Sequence, residues 1–291
     1  VPGPPANPGI KSEAISTLIE HIDCSQVDFR TEDFRSFSLV NGPSPEMRLM
    51  KIHYSVLAPG KSPHPPHVHE EEEILIVIKG EAELQVETAK GSNQLKQLTA
   101  HPGDFIYYPG NWRHTIKNTP DTPVVYLMFK WISDEYHSDH LLDCVFKKSS
   151  DRLGSNDGLC ENLTMEVILE GKTSYLRKLQ AHITQTGPKR GYDPHENAYD
   201  VGIVLFEGKI ETLGEEIKAP ALIYYAAGEP HGLKCTSHSA AKYMVFEFHG
   251  KHGDIYEHPK FRRRRKLKQS LTNPRLLFNH LKWVIRNRLG K

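Results

Sequence analysis

Residues 65–80 read PPHVHEEEEILIVIKG, and the spacing within this stretch decides how the chain is read. His67 and His69 are two apart, and an extended backbone sends alternate side chains to opposite faces, so both imidazoles project from one face. Glu73 has the same parity and joins them if the strand continues or kinks only slightly. Glu71 shares that parity but follows His69 too closely, while Glu70 and Glu72 face away. The apolar run ILIVIK reads as a strand that a turn at Gly80 closes. A second stretch, GDFIYYPGNWRH at residues 103–114, reads as a short strand ending at Pro109-Gly110, with His114 opening the next one. Three neutral imidazoles and one carboxylate suit one divalent transition metal, Fe, Mn, Ni, Cu or Zn, with one or two exchangeable positions left. The chain has 17 histidines, so a lone His-x-His would carry little weight; two ordered motifs carry more.

Together these stretches resemble the two motifs of the cupin superfamily. The first falls here on Gly60, His67, His69, Glu73 and Gly80, and the second on Gly103, Pro109, His114 and Asn118. Two departures are visible: the spacer after Gly60 is longer than the motif's by a single residue, and the turn glycine is Gly110, directly after the proline. Neither moves a ligand. The resemblance implies an all-β chain of jelly-roll barrels with its metal at His67, His69, Glu73 and His114.

A comparison of the two halves of the chain extends this. GPKRGYDPHENAYDVGIVLFEG (187–208) and ALIYYAAGEPH (221–231) align with the first-half motifs, placing His195 on His67, Gly208 on Gly80 and His231 on His114. Strand-like runs, β-branched and aromatic and bounded by Gly, Pro and Asn, recur in both halves. The expectation is two tandem cupin barrels: an N-terminal extension (1–35), a metal-binding barrel (36–133), a linker (134–160) with a short helix, a degenerate barrel (161–250) and a basic tail (251–291). In the second barrel Asn197 replaces the second histidine and Val201 replaces the glutamate. His195, Asp200 and His231 are remnants of a second site, and Asp200 has the wrong parity to complete it without a bulge. Tyr107, Tyr108, Trp112 and Arg113 are expected near the mouth of the first pocket; His53 and His64 lie near the first motif, His64 on a solvent-facing loop, and His137 and His140 have helix or turn spacing with no identifiable third partner.

Composition fits a globular chain: 25% charged, 38% hydrophobic, and no apolar run long enough to span a bilayer. Cys24, Cys144, Cys160 and Cys235 show no paired metal spacing, which favours free thiols in a reducing compartment over a disulfide framework. The expected location is cytoplasmic, peripheral to a membrane if the tail so directs; the non-Met start VPGPPANPG leaves export open.

The net charge of +1 hides an asymmetry. Residues 260–291 hold 12 of the 37 Lys and Arg and no acidic residue, leaving 37 − 12 = 25 basic against 36 acidic elsewhere. Asn273-Pro274 reads as a helix start and Gly290 as its end. Leu277, Leu281, Val284 and Ile285 form one apolar stripe flanked by Lys282, Arg286 and Arg288. Such a helix suits an anionic membrane surface, or docking on a barrel or a second copy in a homo-oligomer, such as a dimer. Nucleic acid is disfavoured, because no base-reading motif accompanies the charge.

An intact first site beside a degraded second one resembles quercetinase-type dioxygenases and pirin-like proteins. That resemblance implies a metal-dependent dioxygenase-type oxidoreductase acting on a small enolisable or phenolic molecule. The alternatives are a non-redox isomerase, lyase or hydrolase of a sugar or small acid, and a non-catalytic metal-binding scaffold or sensor recruited through the tail. Fold alone does not choose among them.

Overall fold

The computed structural model describes residues 14–23, 25, 27, 32–135, 138, 140–150 and 163–250. The first half is built from β1 (Leu18–His21), β2 (Phe34–Gly42), β3 (Leu49–Leu57), β4 (Glu72–Lys79), β5 (Ala82–Glu87), β6 (Leu95–Ala100), β7 (Phe105–Tyr108), β8 (His114–Lys117), β9 (Val124–Ile132) and β10 (Val145–Lys147). The second half holds β11 (Leu163–Gly171), β12 (Lys178–Thr186), β13 (Gly191–His195), β14 (Asp200–Glu207), β15 (Lys209–Thr212), β16 (Glu215–Lys218), β17 (Ala221–Tyr225), β18 (His231–Cys235) and β19 (Ala241–His249). The described residues are all-β, arranged as two jelly-roll barrels.

Each barrel has one six-stranded sheet facing a smaller one. The large sheets run β10-β7-β4-β9-β3-β2 and β1-β17-β14-β19-β12-β11, the small ones β6-β5-β8 and β13-β18-β15-β16. Position by position the large sheets match, β4 with β14 and β9 with β19. The chain reaches this symmetry by an exchange at the margins. β1 precedes the first barrel yet pairs with β17 of the second, Leu18 opposite Tyr224. The segment after the first barrel supplies β10, which returns to pair with β7. The N-terminal extension is therefore partly a strand of the second barrel. The helix expected in the linker is absent from its described residues, where a strand stands instead.

The large sheets pack on each other, which explains the unbroken apolar runs in their central strands. A sheet covered on both faces needs apolar side chains at both parities. Along β4, Ile74 and Ile76 enter a core shared with Phe246 and Phe248 of the second barrel, while Leu75 and Val77 enter the first barrel's own interior with Ile106 and Met128. Phe129 lies 5.6 Å from both Phe246 and Phe248, and Trp131 meets Phe248 edge-on at 5.3 Å. The second barrel's interior is separate, built on Val201, Ile203, Tyr225, Tyr243 and Val245.

The apolar stripe expected in the tail, Leu277, Leu281, Val284 and Ile285, lies outside the described residues. Among the described residues no helix is long and apolar enough to cross a membrane. Cys144 and Cys235 are free thiols; Cys24 and Cys160 lie outside.

Candidate metal centre

β4 begins at Glu72, so His67 and His69 sit on the loop leading into it rather than on a continuous strand. The loop is held by backbone pairing. His67 and His114 exchange N–H···O=C bonds of 3.1 and 3.0 Å, and the Asn111 N–H donates to the His69 carbonyl at 2.7 Å. Gly110 is required at this closure, because a Cβ there would lie 2.5 Å from the Glu70 carbonyl oxygen. Gly80, at the far end of β4, adopts a φ of +81° with the Pro123 carbonyl where a Cβ would stand, which only glycine tolerates.

One ligand atom from each of His67, His69 and His114 falls within 4.8 Å of the others. Glu73, buried at the start of β4, brings Oε2 to 3.1 Å from His69 Nε2 and 3.6 Å from His114 Nε2. Second contacts orient the rings. His114 Nδ1 bonds the Trp112 carbonyl at 2.7 Å and His69 Nδ1 the Glu71 carbonyl at 3.0 Å. A ring that donates through Nδ1 presents an unprotonated Nε2, the form a metal ligand requires. Tyr108 stacks on His114 with centroids 4.1 Å apart.

Three buried atoms of these residues, His67 Nδ1, His114 Nε2 and Glu73 Oε1, have no hydrogen-bond partner. Buried polar atoms are rarely left so, and His114 Nε2 is a lone-pair donor grouped with two further imidazoles, beside the Glu73 carboxylate whose other oxygen, Oε2, faces His69 and His114. The donor set fits a divalent metal on this ground. Burial, and then His64 and the other site imidazoles, push His67 down to about 4, keeping it neutral. Burial by itself would raise Glu73, but Lys130, then His114, hold its carboxyl well below the usual carboxylate range.

Lys130 escapes the sequence reading. It stands in VVYLMFKWI on β9, directly across from Glu73, with Nζ 3.0 Å from Glu73 Oε2 and 3.3 Å from His69 Nε2. The signal was available: a charged residue in an otherwise apolar strand, at the parity of the interior residues Tyr126 and Met128.

Other expected residues separate. Glu72 faces away from the ring, accepting hydrogen bonds from Trp131 Nε1, Thr173 Oγ1 and the Ser174 N–H. Glu71 pairs with Lys51 at 3.0 Å. Tyr107 is not at the mouth; it belongs to the core between the barrels. Trp112 donates to the Glu87 carbonyl, and Arg113 reaches the Pro66 carbonyl at the rim. His64 is exposed, its ring 4.0 Å from that of His67.

In the second barrel the equivalent geometry survives in part. His231 Nδ1 bonds the Glu229 carbonyl at 2.9 Å, and Tyr225 stacks on His231 at 4.1 Å. His195 and His231 rings are 4.7 Å apart, and the Asn197 amide meets His231 Nε2 at 3.4 Å. Asp200 does not join them. It turns toward the first barrel, taking hydrogen bonds from Ser44 Oγ and the Ala227 N–H. Glu247 occupies the place of Lys130, flanked by His182 and His249, the latter at 2.8 Å. The charge at that position is thus reversed between the barrels.

The cupin domain model matches residues 53–130. Among curated proteins none matches the sequence. Solved structures share the fold at low identity. The protein Ylba from E. coli is 14% identical at a TM-score of 0.60, covering 84% of this chain and 97% of its own. AerE from Microcystis aeruginosa is 17% identical at 0.53, covering 68% and 87%. An oxalate decarboxylase variant from Bacillus subtilis is 10% identical at 0.53, covering 83% and 79%.

Proposed function

Through residues 53–130 this chain belongs to the cupin superfamily, and we propose that it is a metal-dependent enzyme of the dioxygenase type, acting on a small enolisable or phenolic molecule. His67, His69, Glu73 and His114 would hold one divalent transition metal. The observation that carries the reading is the cluster of ligand atoms from His67, His69 and His114, with His114 Nε2 buried and partnerless among them and the Glu73 carboxylate beside it. Bound there, such a metal supplies Lewis acidity toward an enolate or phenolate oxygen and, if redox-active, electrons for dioxygen chemistry.

The protein's own part is orientation and charge. Trp112 and Glu71 carbonyls fix two ring tautomers. A divalent ion and one carboxylate leave a net +1, favouring an anionic oxygen at the open position. Below the ring the interior is apolar, with Leu75, Ile106 and Met128, which shields the reacting groups from water on that side.

A second reading, non-redox chemistry on a small acid, is favoured by the Lys130 ammonium beside the ligands. Elemental analysis tests the shared premise: the wild type retains about one metal per chain, and a His67→Ala, His69→Ala double variant loses it. Unchanged metal in the variant removes the assignment. Oxygen-electrode assays on iron-, manganese-, nickel- and copper-loaded protein, with catechols and enediols, separate the two readings. Absence of uptake with every metal rejects the oxygenase and leaves the non-redox enzyme.

A further inference from the structure

Inside the first barrel the strand register lines up one polar row across four strands. Lys51 on β3 stands opposite Lys130 on β9, Lys130 opposite Glu73 on β4, and Glu73 opposite Tyr108 on β7. The next interior row is His53, Met128, Leu75 and Ile106, mostly apolar. The charged groups are therefore confined to one level, beside the three histidines. Lys51 is neutralised by Glu71. Among the described residues Lys130 pairs with Glu73, which is also one of the candidate metal ligands.

The contacts of Lys130 carry the inference. His69 Nδ1 is committed to the Glu71 carbonyl, so His69 Nε2 presents a lone pair. His69 Nε2 lies 3.1 Å from Glu73 Oε2, and Lys130 Nζ reaches both atoms, from 3.3 and 3.0 Å. The ammonium has three N–H donors and two contacts here, Glu73 Oε2 and His69 Nε2, so a donor is left for an incoming ligand, and its side chain, 17% exposed, remains within reach of solvent. Divalent ion, Glu73 and Lys130 then sum to +2, one charge more than the metal and carboxylate leave by themselves.

We propose that Lys130 is the anion-binding residue of this site: it takes the second oxygen of an organic acid whose first oxygen occupies the open position in the ring. The ligand class is a short acid with two nearby oxygen donors and a charge of up to −2, a dicarboxylate or the enolate of a 2-oxo acid. The row beneath is apolar apart from His53 and so suits a hydrocarbon remainder. This rests on the reading of the site as a metal centre and narrows its substrate class.

The test uses zinc-loaded full-length protein, in which no redox turnover competes, and calorimetric titration with malonate and its uncharged analogue malonamide. Wild type binds malonate, and malonamide more weakly by roughly tenfold or more, as loss of a charge-assisted hydrogen bond implies. Lys130→Met retains zinc and loses a similar factor for malonate only; Lys130→Arg recovers most of it. Retained zinc with unchanged malonate affinity in Lys130→Met overturns the proposal. So does loss of zinc from Lys130→Met, which makes the lysine a support for Glu73. Wild type that holds zinc but ignores malonate also overturns it while leaving the metal centre standing. Wild type that holds no zinc or other divalent metal removes the metal centre and this proposal with it.

Discussion

Glu72 and Asp200 are equivalent carboxylates that clasp the two barrels from opposite sides. Each opens the matching strand of its large sheet, and each accepts a hydroxyl hydrogen bond from a turn of the other barrel, Glu72 from Thr173 at 2.6 Å and Asp200 from Ser44. The turns match too: Ser44 Oγ also accepts from the Met47 N–H, and Thr173 Oγ1 from the Leu176 N–H. The exchange explains why Asp200 is unavailable to the second barrel's histidines.

Burial raises Asp200 to about 7, against the lowering pull of Ser44 and the Ala227 N–H. The folded value lies above that of an unfolded aspartate, about 3.9. Its stabilising contribution is therefore full below about pH 4 and is lost as pH rises toward 7. Asp200→Asn, neutral at every pH, should destabilise less at pH 8 than at pH 5. Linkage limits the difference to a few kcal/mol, at about 1.4 kcal/mol for each pH unit that separates the folded from the unfolded value. Urea unfolding of both proteins across this range measures it. Parallel pH curves would show that Asp200 does not titrate there.

The interface between the sheets should be a main source of stability. Phe246 is fully buried and packs on Phe105 and Phe129 of the first barrel. Phe246→Ala should cost about 3–5 kcal/mol, the usual range for a large core aromatic. Because the core it leaves is shared, the two barrels should unfold in one transition in the wild type. Separate transitions by calorimetry would show that the barrels are independent and the contact weak.

Much of the site was legible because its determinants are local. Motif spacing brought His67, His69 and His114 together with Glu73 beside them, although the two histidines lie on the loop before β4 and not on the strand that parity assumed, and the Pro109-Gly110 turn placed the start of β8. Parity also predicted that Glu72 faces away, though nothing in the sequence named Thr173 as its partner, since that contact joins separate barrels. Lys130 was missed because its strand lies after both motifs, and only three-dimensional register sets it opposite Glu73. The four-residue β1, LIEH, has too little alternation to be recognised, and its pairing with β17 is a long-range contact that no local pattern encodes. The linker invited a helix because it lacks strand periodicity; β10 is three residues, too short to show alternation, and forms by adding to the β7 edge.

Substitutions in the second barrel should leave metal content intact. His231 meets Asn197 where the first barrel has its second motif histidine, and Val201 stands where the first barrel has its glutamate. His195→Ala and His231→Ala should each keep the wild-type metal stoichiometry. His195 is exposed and should cost little stability, whereas His231 is buried and should cost more, about 1–3 kcal/mol with its hydrogen bond removed. Loss of half the metal on either change, by elemental analysis, would establish a second occupied site.

The basic tail gives the last prediction, from its sequence alone. If residues 274–289 form an interfacial helix, truncation after His258 should abolish co-sedimentation with phosphatidylserine vesicles and leave metal content unchanged. The twelve Lys and Arg of residues 260–291 act over roughly a Debye length, about 8 Å at physiological ionic strength, so binding should weaken as salt is raised. The competing role buries Leu277, Leu281, Val284 and Ile285 against a barrel or a second copy of the chain. In that case truncation lowers the unfolding midpoint or changes the oligomeric state, and vesicles fail to retain even the full-length protein at low salt. Sedimentation in low and high salt, with light scattering on both forms, separates the two: retention that is salt-sensitive and tail-dependent supports the membrane role, and none at low salt ends it.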